Sequence, residues 1–173
     1  MDWLVIALRI LHFGAGIFWV GAAFTFFFFV EPSTRVLAPD GRHGFMGEVM
    51  GRRKFPIVIL IASIITVVAG TILYARNWDG FNPESLSNPA TIGFGIGGLA
   101  AYVSFLIGAL VITPTVKRLG ETGGAIMAAG RPPTAEEEAT MHGLESRLTS
   151  AGRLDLVGLT IAVLFMAISR YLG

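Results

Sequence analysis

An arginine and a histidine lie three residues apart inside the first apolar stretch of the chain. At this spacing Arg9 and His12 share one helix face, and the stretch from Trp3 to Val30 is long enough to cross a bilayer. A guanidinium and an imidazole are costly in hydrocarbon and usually mark a functional site there. His12 is also the only histidine in an apolar run. We therefore expect any chemistry of this protein to involve this helix face.

His12 is a candidate ligand of a b-type haem or of a metal ion, because neutral imidazole is a common axial ligand. The alternative is a buried histidine that hydrogen-bonds a main-chain carbonyl. Met166, in the last apolar run, lies at nearly the depth of His12, and a His/Met pair is known haem ligation chemistry. Met166 has its own alternative as an ordinary core residue. Five-coordinate haem with His12 alone is a third arrangement.

Three arginines on the side of the chain termini are candidate partners for haem propionates: Arg9, Arg76 and Arg170. The alternative for Arg9 is snorkelling, in which its long side chain reaches the headgroups unaided. The sequence has no Ser–His–Asp set, no paired carboxylates within an apolar run and no H-E-x-x-H motif. It therefore identifies cofactor-binding candidates but no catalytic residue.

The composition is typical of an integral membrane protein. Of 173 residues, 53% are hydrophobic and only 14% are charged, far fewer charges than a soluble domain carries. Four apolar runs each allow one crossing at roughly 20 residues per span: residues 3–30, 55–75, 92–115 and 154–172. We predict an all-α four-helix bundle that forms a single membrane domain over residues 1–173. Helix 1 is expected to remain in the mature protein, since no basic segment precedes it.

The absence of cysteine from the sequence excludes disulfides, thiolate metal sites, iron–sulfur clusters and c-type haem attachment. The distribution of basic residues predicts the orientation. Ten Lys and Arg residues lie in two connections, 31–54 and 116–153, against Arg76 and Arg170 on the opposite side. By the positive-inside rule both connections face the cytoplasm, and both termini of this multi-pass protein lie outside it, in the inner (plasma) membrane. The net charge of +1 gives no sign of a nucleic-acid partner. The four apolar runs make the lipid bilayer the expected partner.

Both cytoplasmic connections are predicted to contain helix. Residues 42–53 repeat apolar side chains at helical spacing, as an interfacial helix does. The segment 120–133 is predicted to be flexible. Thr134 and Glu137 then match a capping box, so the fourth helix is expected to begin near Thr134, to end near Tyr171 and to project into the cytoplasm.

Two further polar or glycine-rich features have structural interpretations. Residues 93–98 contain G-x-G-x-x-G, but they open a membrane helix and follow no strand, so we predict close helix packing and no dinucleotide site. Glu31 and Asp155 lie at the cytoplasmic ends of helices 1 and 4. They are expected to form anchoring ion pairs with Arg35 and with Arg153 or Arg53.

The two halves of the chain resemble each other at an offset of 82 residues. Pro32 aligns with Pro114 and Arg35 with Lys117, and helices 1 and 3 align without a gap back to residue 10. This pattern predicts a duplicated helical hairpin, with halves related by an axis along the membrane normal. The alternative is that unrelated membrane hairpins look this similar by composition.

Residues 7–24 of helix 1 resemble a known family. Leu11, His12, Gly14, Trp19 and Gly21 resemble the opening helix of small four-helix bacterial membrane proteins of the copper-resistance-D-like (CopD-like) type, and more distantly of the HemJ-type protoporphyrinogen oxidases. The resemblance covers these 18 residues closely and the four-span layout loosely. It implies that His12 lies at a haem or metal site.

Three classes of function remain open from the sequence. The first is a haem b-binding or redox-associated membrane protein that takes part in electron transfer, with His12 and Met166 as ligands. The second is a cofactor-free accessory subunit that packs in a larger membrane complex or homo-oligomer, which the phenylalanine-rich helix 1 favours. The third is a transporter of a small solute or metal ion, which Arg9, His12 and the duplication favour.

Overall fold

The computed structural model describes residues 2–79 and 81–172, apart from the side chains of Pro39 and Trp78, and these ranges contain helices and no strand. Five helices are numbered in chain order. They are α1 (Trp3–Thr34), α2 (Pro39–Met46, continued by Gly47–Arg52), α3 (Phe55–Trp78), α4 (Pro89–Ala128) and α5 (Ala135–Ile168, continued by the 3₁₀ turn Ser169–Tyr171).

Four of these helices form the predicted up-and-down bundle. α1, α3, α4 and α5 are each long and apolar enough to cross a membrane. Arg76 pairs with Asp2 at 2.7 Å at the end that holds the chain termini, which we call the terminal end. Arg42 pairs with Glu145 at 3.1 Å at the opposite end, which holds the two long connections and which we call the basic end. The all-α, four-helix architecture expected from the sequence is confirmed.

The helical extensions at the basic end also form. α2 covers the interfacial helix predicted at 42–53. α5 begins with the predicted capping box, in which Thr134 Oγ1 accepts from the Glu137 N–H and the Glu137 carboxylate accepts from the Thr134 N–H at 2.7 Å. Because these two bonds satisfy main-chain donors that the first helical turn leaves free, α5 starts well before its apolar segment.

The prediction of a flexible segment at 120–133 was wrong for most of its length. α4 continues to Ala128, and only a short turn separates it from α5. A Cβ added to Gly123 would lie 3.8 Å from Met141 of α5 and 4.0 Å from His43 of α2, so α4 lies against both helices here. Glycine lowers helix stability by only about 1 kcal/mol per residue relative to alanine. Tertiary contacts of this kind override the low helix propensity of the segment.

α1 and α4 contain the same irregularity at the same relative position. A π-helical segment occupies Phe26–Val30 in α1 and Gly108–Ile112 in α4, at an offset of 82 residues. Each lies just before a proline, Pro32 or Pro114, whose ring clashes with the carbonyl four residues earlier and which donates no main-chain hydrogen bond. This repetition supports the duplicated helical hairpin expected from the sequence.

The long helices pack as two pairs around one central core. α1 packs on α3 and α4 packs on α5, while α3 and α4 join the pairs. Trp19 of α1, Ala62 of α3 and Leu159 of α5 are buried together, with Phe105 of α4 against them. All four helices therefore contribute to the same core.

Glycines bring α4 and α5 close together along their length. A Cβ on Gly97 would lie 3.2 Å from the Phe165 Cβ and 3.3 Å from the Ala162 carbonyl oxygen, and one on Gly158 would lie 3.4 Å from the Ala100 carbonyl oxygen. The packing role predicted for the glycine-rich start of this helix is confirmed.

Large apolar side chains cover the outside of the bundle. Ile17 is 72% exposed, and Ile10 and Leu99 are each 68% exposed. A contiguous surface of this kind requires an apolar environment or a partner. It agrees with four helices that are able to cross a membrane.

Candidate functional site

His12 lies between α1 and α3 and hydrogen-bonds the main chain of α3. Its Nδ1 is 2.8 Å from the carbonyl oxygen of Thr66. Because a carbonyl oxygen only accepts, Nδ1 is the donor of this hydrogen bond. The ring packs over Gly70, where an added Cβ would lie 2.7 Å from the His12 Cε1. The imidazole therefore links two helices, which is the structural alternative considered from the sequence.

The second expected ligand, Met166, packs on a different helix. A Cβ on Gly97 of α4 would lie 3.3 Å from the Met166 Cε, whereas His12 packs on Gly70 of α3. No described contact joins His12 to Met166. Among residues 2–79 and 81–172, no three His, Cys, Asp or Glu side chains form a group that could hold a metal ion. The described contacts thus give His12 and Met166 different neighbours, and the ligand pair stays a prediction.

The three arginines considered for propionate binding make separate local contacts near the terminal end. Arg76 pairs with Asp2, and the Arg170 guanidinium lies 5.5 Å from the centre of the Tyr171 ring. Arg9 is exposed on α1. None of these contacts involves His12 or Met166, so no described contact joins the five predicted site residues.

A large cavity lies at the basic end, away from His12. Its volume is about 660 Å³, and all five helices contribute to its wall. Most of the wall is apolar. Aromatic rings supply much of it: Trp19, Phe26, Phe27, Phe55 and Phe105. We call this space the basic-end cavity.

Most charged side chains of the basic-end cavity are paired with each other. Glu31 pairs with Arg35 at 2.8 Å, as expected from the sequence, and Arg42 of α2 pairs with Glu145 of α5 at 3.1 Å. These pairs are partly exposed, so each contributes only about 0–1 kcal/mol to stability. Their positions nevertheless give an otherwise apolar cavity a charged rim.

Asp155 lines the same cavity without an ionic partner in the described part of the chain. The residue is 7% exposed, and its Oδ1 is buried and has no hydrogen-bond partner. Ser104 donates to the main-chain oxygen of Asp155 at 3.1 Å. Arg53 pairs instead with Glu48 at 2.7 Å, and Arg153 is exposed. The prediction that Asp155 forms an anchoring ion pair with Arg153 or Arg53 was therefore wrong.

The spacing of apolar residues in α5 explains why Asp155 is buried. Ala151, Asp155, Leu159 and Ala162 are three or four residues apart and are all buried, so they share one face. Arg153 lies two positions from Asp155, and residues at that spacing face different ways. This helical periodicity is visible in the sequence and is sufficient to predict that Arg153 and Asp155 lie on different faces of α5.

No known protein family, curated protein or solved structure matches this chain. The resemblance of residues 7–24 to the copper-resistance-D-like family therefore stays a prediction.

Proposed function

We propose that this protein is an integral membrane transporter that takes up an amphiphilic organic molecule in the basic-end cavity. One observation carries the proposal: four helices of membrane-spanning length enclose a cavity of about 660 Å³ that combines an apolar wall with a charged rim. Cavities of about 300–1,000 Å³ with mostly apolar walls and a few polar groups are typical of small-molecule sites.

The two kinds of lining residue favour an amphiphile over a purely polar solute. Aromatic rings such as Trp19 and Phe105 suit an apolar body, because burying that body removes apolar surface from water. Charged groups such as Arg42 and Glu145 suit a polar head at the basic end. By the positive-inside rule we expect this end to face the cytoplasm.

Transport, as opposed to static binding, is favoured by the π segments beside the cavity. Phe26 and Phe27 in α1, and Gly108 and Ala109 in α4, belong to π segments and line the cavity. Such segments are points at which a helix changes its bend and are frequent at functional sites. The expected duplication is a further support, since the similar halves of such transporters move against each other.

Filling the cavity tests the proposal. Gly108 lines the cavity, and a Cβ added there meets no atom within 4 Å, so Gly108→Leu introduces a side chain without a close contact at its Cβ. Gly98, on the same helix, is equally open but is not among the lining residues, so Gly98→Leu is the matched control. The probe is the neutral amphiphile N-phenyl-1-naphthylamine, followed by energy transfer from tryptophan in the purified full chain.

The affinity for this probe should fall about tenfold, or ~1.4 kcal/mol, in Gly108→Leu and stay within about twofold of wild type in Gly98→Leu. In proteoliposomes, Gly108→Leu should slow movement of the probe between the two leaflets. Equal affinity in all three proteins, or no binding to wild type, contradicts the proposal.

Haem bound through His12 alone is a second candidate function. The observation in its favour is the hydrogen bond from Nδ1 to Thr66, because metal-bound histidines use such a bond to fix the ring and leave Nε2 free. The basic-end cavity does not include His12, so this haem would lie at an outer surface or between subunits. When bound, it would supply one-electron chemistry.

The colour of the purified protein tests this candidate. If His12 alone binds haem, the protein should show a Soret band that disappears in His12→Ala and remains in Met166→Leu. A colourless protein after haem-supplemented expression would contradict haem binding. Co-purification with a larger complex would favour the accessory subunit considered from the sequence.

A further inference from the structure

Asp155 is placed where an unpaired carboxyl group is costly. Its Oδ1 is buried without a hydrogen bond, and only one helical turn, about 6 Å along the axis, separates it from Leu159 in the central core. An ionisable group this deep in an apolar helix is paired with another group or performs a function. A bound ligand is therefore a candidate partner of the Asp155 carboxyl group.

The charged groups around the basic-end cavity do not supply that partner. Glu31 and Arg35 of α1 pair with each other, and Arg42 of α2 pairs with Glu145 of α5. Arg153 of α5 lines the exposed rim and forms no ion pair with Asp155. The lining residues contributed by α3 and α4 are uncharged. A charge that binds Asp155 must therefore enter from outside.

The rest of the wall suits a bulky organic cation. Aromatic faces attract cations through their ring quadrupole, and five aromatic side chains line this cavity. A metal ion is a poorer fit, because the cavity far exceeds the size of an ion and no group of three His, Cys, Asp or Glu ligands occurs in the described ranges.

We infer that the ligand of the basic-end cavity is a hydrophobic organic cation, such as a protonated or quaternary amine, and that Asp155 binds its charge. This inference rests on the proposed function and names its substrate class. In the empty cavity a proton neutralises Asp155. An arriving cation takes the place of that proton, which is released, so one positive charge is exchanged for another and the buried carboxyl group is never left unpaired.

Two probes of similar shape and opposite charge test the inference. Tetraphenylphosphonium and tetraphenylborate are titrated into the purified full chain in a non-ionic detergent, at several pH values. Asp155→Asn removes the charge and retains the size of the side chain, and Asp155→Glu restores the charge. Glu84→Gln, at the terminal end, is the control for loss of a carboxylate elsewhere. Thermal unfolding of each variant confirms that it is folded.

We expect wild type to bind the phosphonium at least about tenfold more tightly than the borate, and Asp155→Asn to lose that preference. Affinity for the phosphonium should fall as the pH is lowered in wild type, because protons compete for Asp155, and should be independent of pH in Asp155→Asn. Asp155→Glu and Glu84→Gln should retain the preference.

Two results would overturn the inference: equal affinity of wild type for both ions, or unchanged phosphonium binding in Asp155→Asn. If both ions bind equally and Gly108→Leu weakens both, the cavity takes up amphiphiles without selecting charge, and only the substrate class is wrong. If neither ion nor the neutral amphiphile binds to wild type, the proposed function itself fails.

Discussion

His12 and Asp155 are both polar side chains within apolar helices, but their surroundings differ. His12 reaches the Thr66 carbonyl oxygen across the α1–α3 contact, where Gly70 leaves room for the ring. Asp155 is one of the residues that line a cavity, and its buried Oδ1 has no hydrogen-bond partner in the described residues. A satisfied polar group of the first kind stabilises helix packing, whereas an unsatisfied one is the stronger candidate for ligand binding.

The hydrogen bond of His12 should contribute a measurable amount to stability. His12→Phe keeps a ring over Gly70 and removes the donor to Thr66. We expect the free energy of unfolding in detergent to fall by about 0.6 kcal/mol and by no more than ~1.7 kcal/mol, the average and the maximum for hydrogen bonds between membrane helices. The conservative change Ile10→Val, on the exposed side of α1, should have a much smaller effect. A variant as stable as wild type would show that this bond makes no net contribution.

The sequence identified His12 as a candidate, but not the main-chain oxygen that its ring contacts. That oxygen belongs to another helix, and a single sequence does not show which groups of other helices lie within reach. The expected partners of Asp155 were Arg153 or Arg53, but helical periodicity alone places Asp155 and Arg153 on different faces of α5. The cavity was not predictable, since it arises from how five helices meet.

The positions of the long helices were largely predictable, because runs of apolar residues of membrane-spanning length indicate where such helices lie. All four apolar runs form helices, and the capping box places the start of α5 correctly. The π segments before Pro32 and Pro114 were not predicted. A proline shows where the hydrogen-bond ladder is interrupted, but packing decides whether the helix ends, kinks or widens.

The α4–α5 contact should be sensitive to single methyl groups at defined positions. A Cβ at Gly97 would lie 3.3 Å from a main-chain oxygen of α5, whereas one at Gly98 meets no atom within 4 Å. We therefore expect Gly97→Ala to lower the free energy of unfolding by about 1–3 kcal/mol through overpacking. Gly98→Ala should be neutral or slightly stabilising, because alanine is the better helix former. Equal effects of the two substitutions on chemical unfolding would contradict the described contact.

The start of α1 should depend on pH through Asp2. The hydrogen bond from the Val5 N–H, with that from Arg76, lowers the pKa of Asp2 below its ordinary value of 3.8. Since the folded-state pKa is the lower one, the stabilisation is present above pH 3.8 and is lost as the pH falls through the folded-state value. Hydrogen exchange of the Val5 amide should show this loss of protection in wild type. Asp2→Asn keeps a capping side chain, so its protection should not vary with pH in this range.

The charge distribution predicts how the whole molecule is oriented in the membrane. Ser87 lies in the connection between α3 and α4 at the terminal end, and Ser146 lies on the part of α5 that extends beyond the basic end; both are exposed. The chain has no cysteine, so Ser87→Cys and Ser146→Cys each create a single labelling site. In intact cells a membrane-impermeant maleimide should label Ser87→Cys and should label Ser146→Cys only after permeabilisation. The reverse pattern would place the cavity opening on the outer side.

We propose that a ligand enters the space between the four helices at the basic end. Photo-crosslinking with a cationic amphiphile that carries a diazirine, followed by mass spectrometry of the peptides, locates the bound ligand. We expect adducts on cavity residues such as Met46, Ala109 and Leu156, and we expect Gly108→Leu to suppress them. Adducts confined to outward-facing positions such as Ile10 and Leu99, and unaffected by that substitution, would contradict it.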